Sequence, residues 1–230
     1  MPSLNLIHHV RQSTASAPAP AIVMVHGWLG NEKVMWAFDR ALPPSAFVVS
    51  VRAPFESGEG YGWMLPSAGG RGDAVEAENA SFEEGLAALR EFVRRLPDAY
   101  ALDASRIVLM GFSQGAAMSY ALLLSNPELI AGVAALAGFL PDPARQWVAA
   151  KRLVGKRVFI AHGLDDAIVP VEAATRARGA MEFCGAEVTY HESKIGHKLS
   201  ADGMRALGRW LASFVLKSST PLTNLGQNRQ

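Results

Sequence analysis

The chain holds a single cysteine, Cys184, in 230 residues. No internal disulfide can form, so a small disulfide-stapled fold is excluded and a reducing compartment fits. Cys184 reads as a small buried apolar residue and not as a catalytic thiol. Charge is scarce and balanced, with 19% charged residues and a formal net charge of +1. Without a basic block, neither nucleic acid nor an anionic membrane is called for as a partner. Long apolar runs are missing as well. The longest, Ile130 to Leu140, is about half of the roughly 20 residues a membrane span needs, so no stable membrane insertion is expected. The opening MPSLNLIHHVRQ lacks a cationic start followed by an apolar run, so no secretory signal is expected either. These absences predict a cytoplasmic protein. The oligomeric state stays open, a homodimer included.

Half of the residues are hydrophobic, enough for one sizeable core. The apolar residues come in short continuous runs: Ala21–His26, Ala46–Val51, Arg106–Met110, Ala131–Leu136 and Arg157–Ala161. Such runs suit strands covered on both faces of a parallel sheet. Leu4–Val10 and the more alternating Glu187–His191 are candidate edge strands, and Ala15–Ala21 is a small-residue turn. Between the runs lie helix-length segments. Ser81-Phe-Glu-Glu84 has capping-box spacing and predicts a helix start, with Leu86, Leu89, Phe92, Val93 and Leu96 following at helical intervals. Ala116–Leu124, Pro170–Phe183 and Ser200–Leu216 are further helices. The alternation predicts an α/β fold with a doubly wound, mostly parallel sheet of about seven strands flanked by helices. A single domain over residues 1–217 is expected, with 218–230 as a flexible C-terminal tail.

From Pro54 to Asn79 no element is evident, although glycine is dense (Gly58, Gly60, Gly62, Gly69, Gly70, Gly72). Long loops in compact domains tend to be functional. The bulky residues Phe55, Tyr61, Trp63, Met64 and Leu65 within it are candidate substrate-binding residues of a loop folded over a pocket, with ordinary packing as the alternative. Arg52 and Arg71 are candidates for attracting an acidic substrate group, against solvated surface arginines.

The stretch Gly111-Phe-Ser-Gln-Gly115 sits between the apolar run RIVLM and the helical AAMSYALLL. In an open α/β sheet, ligands meet the carboxyl ends of strands. A serine at a tight strand-to-helix turn, flanked by small residues, projects its hydroxyl into that cleft. Ser113 is therefore the candidate nucleophile. A serine needs a base, oriented by an acid, and in this arrangement both follow it in the chain. Of His162, His191 and His197, the first two end strands, whereas His197 lies in the loop SKIGHKLS with freedom to reach across the cleft. The candidate acids after Ser113 are Asp142, Asp165 and Asp166. Asp142, flanked by prolines, reads as a helix cap, and spacing does not choose between Asp165 and Asp166. An oxyanion hole needs two N–H donors: Gln114, after the nucleophile, and Trp28 or Leu29 in AIVMVHGWLGN.

In this order, HGWLG, RAPFESGEGYGW, GFSQGA, HGLDDAIVP and GHKLS resemble the phospholipase/carboxylesterase family of α/β hydrolases, which includes bacterial carboxylesterases and acyl-protein thioesterases. The resemblance covers roughly Ala21 to Leu216. It implies an α/β-hydrolase fold without a separate lid domain. It also implies Ser113 as nucleophile, Asp166 as acid, His197 as base, Gln114 in the oxyanion hole, and neither metal nor organic cofactor. Two positions depart from the family pattern. Leu29 stands where the second glycine of His-Gly-x-Gly is usual, so Trp28 is placed first as donor and Leu29 second. Trp63 is followed by Met64 and Leu65 where an aromatic residue and an acid are common.

The expected activity is a serine carboxylesterase acting on a small-molecule ester of small or medium acyl length. An acyl-protein thioesterase or lysophospholipase would use the same residues. A non-catalytic ligand-binding member of the fold is disfavoured, since no triad residue is missing.

Overall fold

The computed structural model describes residues 4–65 and 73–215. A seven-stranded sheet runs through it in the order β1-β3-β2-β6-β7-β8-β9. The strands are β1 (His8–Arg11), β2 (Ala19–Val25), β3 (Phe47–Val51), β6 (Leu102–Phe112), β7 (Gly132–Leu136), β8 (Arg157–Gly163) and β9 (Glu187–Ser193). Only β1 is antiparallel to its neighbour. The helices α2 (Gln114–Ser125), α3 (Val171–Phe183) and α4 (Ala201–Val215) alternate with strands, as the periodicity predicts. A short 3-10 helix covers Val34–Ala41.

The continuous apolar runs have a simple cause. Along β2, Ala21, Val23 and Val25 enter one core layer with α2, α3 and the helix before β6, while Ile22 and Met24 enter the other with Trp210 and Leu211 of α4. Both faces are covered, so neither tolerates polar residues. β1 and β9 lie at the edges and are only partly buried.

Three expectations need correction. The helix α1 begins at Asp73 and runs to Tyr100, so Ser81 lies inside it and caps nothing. Ser81 is buried, and its Oγ accepts the Leu65 N–H at 3.0 Å, which explains a serine at that position without a helix start. The segment after Pro54 is not bare loop. It forms a hairpin, β4 (Phe55–Ser57) and β5 (Gly60–Gly62), too short to leave a periodic signal. Asp142 opens a 3-10 helix without capping it and pairs with Arg145 at 2.9 Å. Gly69, Gly70, Arg71, Gly72 and the tail 218–230 lie outside the described residues.

Candidate active site

Ser113 follows β6 and precedes α2, with φ +52° and ψ −117°. A non-glycine residue in that region is strained and is held by its surroundings. Its N–H donates to Leu136 O at 2.9 Å, tying the turn to the end of β7. The flanking glycines allow the approach: a Cβ on Gly111 would collide with Gly115 O, and one on Gly115 with Val25 O. Gly115→Ala is therefore expected to destabilise the protein by about 3 kcal/mol or more, because backbone meets backbone and no side chain can yield. Chemical denaturation checks this; a loss below about 1 kcal/mol would show that the strand and helix can separate there.

The loop after β8 carries Asp166, buried with its side chain fully enclosed. Oδ1 accepts the N–H groups of Ile168 and Val169, both at 2.9 Å. Oδ2 accepts His197 Nδ1–H at 2.7 Å. Burial alone would raise the Asp166 pKa, but the bonds from Val169, His197 and Ile168 outweigh it and hold the carboxyl below its ordinary range. Asp165 is exposed, and no hydrogen bond joins its side chain to any of the three histidines. Position in the fold thus separates two aspartates that spacing could not. Of the other downstream histidines, His191 bonds Ser193 Oγ at 3.1 Å, and His162 Nε2 bonds Val169 O at 2.8 Å while lying 3.3 Å from Asp166 Oδ2.

His197 and Ser113 line one cavity of about 520 Å³, open to solvent. The His197 ring meets Phe112 edge-on at 5.0 Å. Ser113 Oγ makes no hydrogen bond with another protein group among the described residues, and such bonds often close only around substrate. The His26-Gly-Trp-Leu-Gly30 loop approaches closely, since a Cβ on Gly27 would lie 3.2 Å from Ser113 Cβ. Leu29, at the position where the family favours glycine, has φ +61°. The Gly30 carbonyl holds this loop by accepting Tyr61 N–H at 2.9 Å. Gln114 lies at the N-terminus of α2, where backbone N–H groups have no intrahelical acceptor. Its side chain is spent on the hairpin exit: Oε1 accepts Trp63 N–H at 2.7 Å and Nε2 donates to Met64 O at 2.9 Å.

None of Phe55, Tyr61, Trp63, Met64 and Leu65 lines that cavity. Trp63 is fully buried, and its indole N–H donates to His26 O at 3.0 Å, so it braces the loop before Ser113. Tyr61 lies under the Arg52 guanidinium at 4.5 Å. The wall comes instead from Trp28, Leu29, Met35, Phe38, Phe112 and Leu199. Val34, Met35 and Phe38 belong to the 3-10 helix after the HGWLG loop, an element not expected from the sequence, and their helical spacing is the signal that points to it. Among the described residues no group of His, Cys, Asp and Glu could hold a metal ion.

Arg52 does not face this cavity but clamps Glu32 with two bonds, at 2.6 and 2.9 Å. The paired guanidinium holds the buried Glu32 carboxyl at about 2, against an ordinary 4.5. A depressed carboxyl contributes stability that is complete above its unfolded value and lost as pH falls through its folded one. The stability difference between wild type and Glu32→Gln is therefore expected to shrink as pH drops from about 4.5 to 2. Thermal melts of both proteins across that window check it; a constant difference would contradict an ionised Glu32.

A serine at a strained strand-to-helix turn, beside a linked histidine and aspartate at the carboxyl edge of a mostly parallel sheet, defines the class of α/β hydrolases. The sequence profile of the phospholipase/carboxylesterase family matches residues 8–215. The chain belongs to that family. An acyl-protein thioesterase 1 from Kluyveromyces lactis is 26% identical over 232 residues, covering 91% of this chain and 98% of the relative. Its counterpart from Mycosarcoma maydis is 32% identical over 126 residues, 51% of this chain and 52% of that protein. The carboxylesterase of Bacillus cereus shares the fold with a TM-score of 0.80 and 24% identity, over 91% of this chain and 95% of that one.

Proposed function

We propose that the protein is a serine carboxylesterase that cleaves esters through an acyl-enzyme, with Ser113 as nucleophile, His197 as base and Asp166 as orienting acid. The observation that carries this reading is the 2.7 Å bond between Asp166 and His197, with His197 and Ser113 facing one cavity. His197 Nε2 takes the Ser113 proton as Oγ attacks the carbonyl carbon. Asp166 fixes the Nδ1–H tautomer and stabilises the imidazolium. The N–H groups of Gln114 and Trp28, with Leu29 as second choice on the loop, receive the oxyanion. The imidazolium returns its proton to the leaving alkoxide, and water activated by His197 then releases the acid and restores Ser113.

The apolar wall around Ser113 suits acyl chains of small or medium length. A thioester differs only in its leaving thiolate, so the thioesterases among the relatives extend the reading to acyl thioesters with the same residues. Among the described residues no helix is long and apolar enough to cross a membrane. We read the protein as a single domain acting on a small-molecule ester in the cytoplasm, a compartment that the free Cys184 fits. A panel of aryl esters graded by acyl length, run beside matched thioesters, tests the reading. Turnover of esters with a maximum at short or medium chains is expected. Activity confined to long acyl thioesters would replace esterase by thioesterase, and no turnover with no fluorophosphonate adduct at Ser113 would overturn both.

A further inference from the structure

His162, at the end of β8, has no part in the proton transfers above, yet it closes a ring of contacts around Asp166. Its side chain is fully buried. Nε2 lies 2.8 Å from Val169 O and 3.3 Å from Asp166 Oδ2. Val169 N–H in turn donates to Asp166 Oδ1 at 2.9 Å. A carbonyl only accepts, so Nε2 carries the proton. Nδ1 is buried without a partner, and a proton there would be an unsatisfied buried donor. The tautomer is thus settled by packing, and one imidazole N–H is aimed at the loop that presents the carboxylate.

We infer that His162 is a positioning residue: its Nε2–H locks the 166–169 turn and sets how Asp166 Oδ2 is offered to His197. The Nε2–H dipole beside Oδ2 also disperses the carboxylate charge that His197 feels. Glu192, the register partner of His162 on β9, is exposed, and its carboxylate accepts the Tyr190 hydroxyl at 2.7 Å. Asp166, 3.3 Å from Nε2 and bonded to the same Val169, is the acid through which His162 acts. Because it concerns the orientation of the proposed base, the inference rests on the esterase reading.

His162→Phe keeps bulk and removes the donor, whereas His162→Gln keeps an N–H at similar reach. For His162→Phe, kcat is expected to fall about 10- to 100-fold at unchanged KM, the effect of losing one hydrogen bond near a charge. His162→Gln should recover most of it. The acid limb of the pH–rate profile should also move to higher pH in the Phe variant. A carboxylate without the neighbouring N–H dipole is more basic and favours the protonated His197. Equal losses in both variants, or an unmoved profile, would reduce His162 to packing. Should His162→Phe not fold, imidazole ¹⁵N shifts of the wild-type protein decide: Nε2–H at His162 supports the inference and Nδ1–H overturns it. These shifts need no turnover, so they remain decisive even if Ser113 takes no fluorophosphonate and the esterase reading fails.

Discussion

Ser113→Ala is expected to lower kcat by about 10⁴-fold or more while leaving the fold intact. The hydroxyl makes no hydrogen bond to another protein group among the described residues, so its removal leaves no buried donor or acceptor unsatisfied. The left-handed turn persists, because it is imposed by β6, α2 and the Ser113 N–H bond to Leu136, all of which alanine retains. Ester turnover, far-UV dichroism and intact mass after fluorophosphonate treatment check this together. Wild type should gain one adduct and the variant none. An active, folded variant would place the nucleophile elsewhere.

Asp166→Asn is the second large effect, a loss of about 10³- to 10⁴-fold in kcat. Asparagine keeps an oxygen for the Ile168 and Val169 N–H groups, so the turn survives. At the other position its amide donates where the carboxylate accepted. His197 Nδ1 must then accept, its proton moves to Nε2, and that nitrogen can no longer take the Ser113 proton. The same variant decides between neighbours. If activity survived within about tenfold of wild type while Asp165→Asn abolished it, the acid would be Asp165 despite its exposure to solvent. Wild-type activity should outlast mild acidification as far as Asp166 is concerned. Its carboxyl stays ionised below the ordinary carboxylate range, so rate lost above that range reports protonation of the base.

Much of the sheet was legible because a strand buried on both faces has no room for polar residues. β2, β3, β7 and β8 therefore stand out as apolar runs. Other features left no local trace. The hairpin β4–β5 has three residues per strand, and α1 extends eight residues before Ser81, whose serine answers to a bond from Leu65 and not to helix capping. The aromatic residues of the glycine-rich segment looked like a pocket wall because bulk and loop position say nothing about direction. Trp63 points inward and braces Gln114 and His26, while the wall comes from Met35 and Phe38, upstream in a different element.

Residue order alone determined the covered sheet, the turn at Ser113 and the family to which the chain belongs, since these depend on local periodicity and short motifs. Spacing left two aspartates open and the family resemblance pointed to Asp166, which the tertiary structure brings to His197; what surrounds the hydroxyl, and that His162 leans on the same carboxylate, only the tertiary structure decided. Those are distances between atoms set by strands crossing a sheet, and separation along the chain carries no information about them.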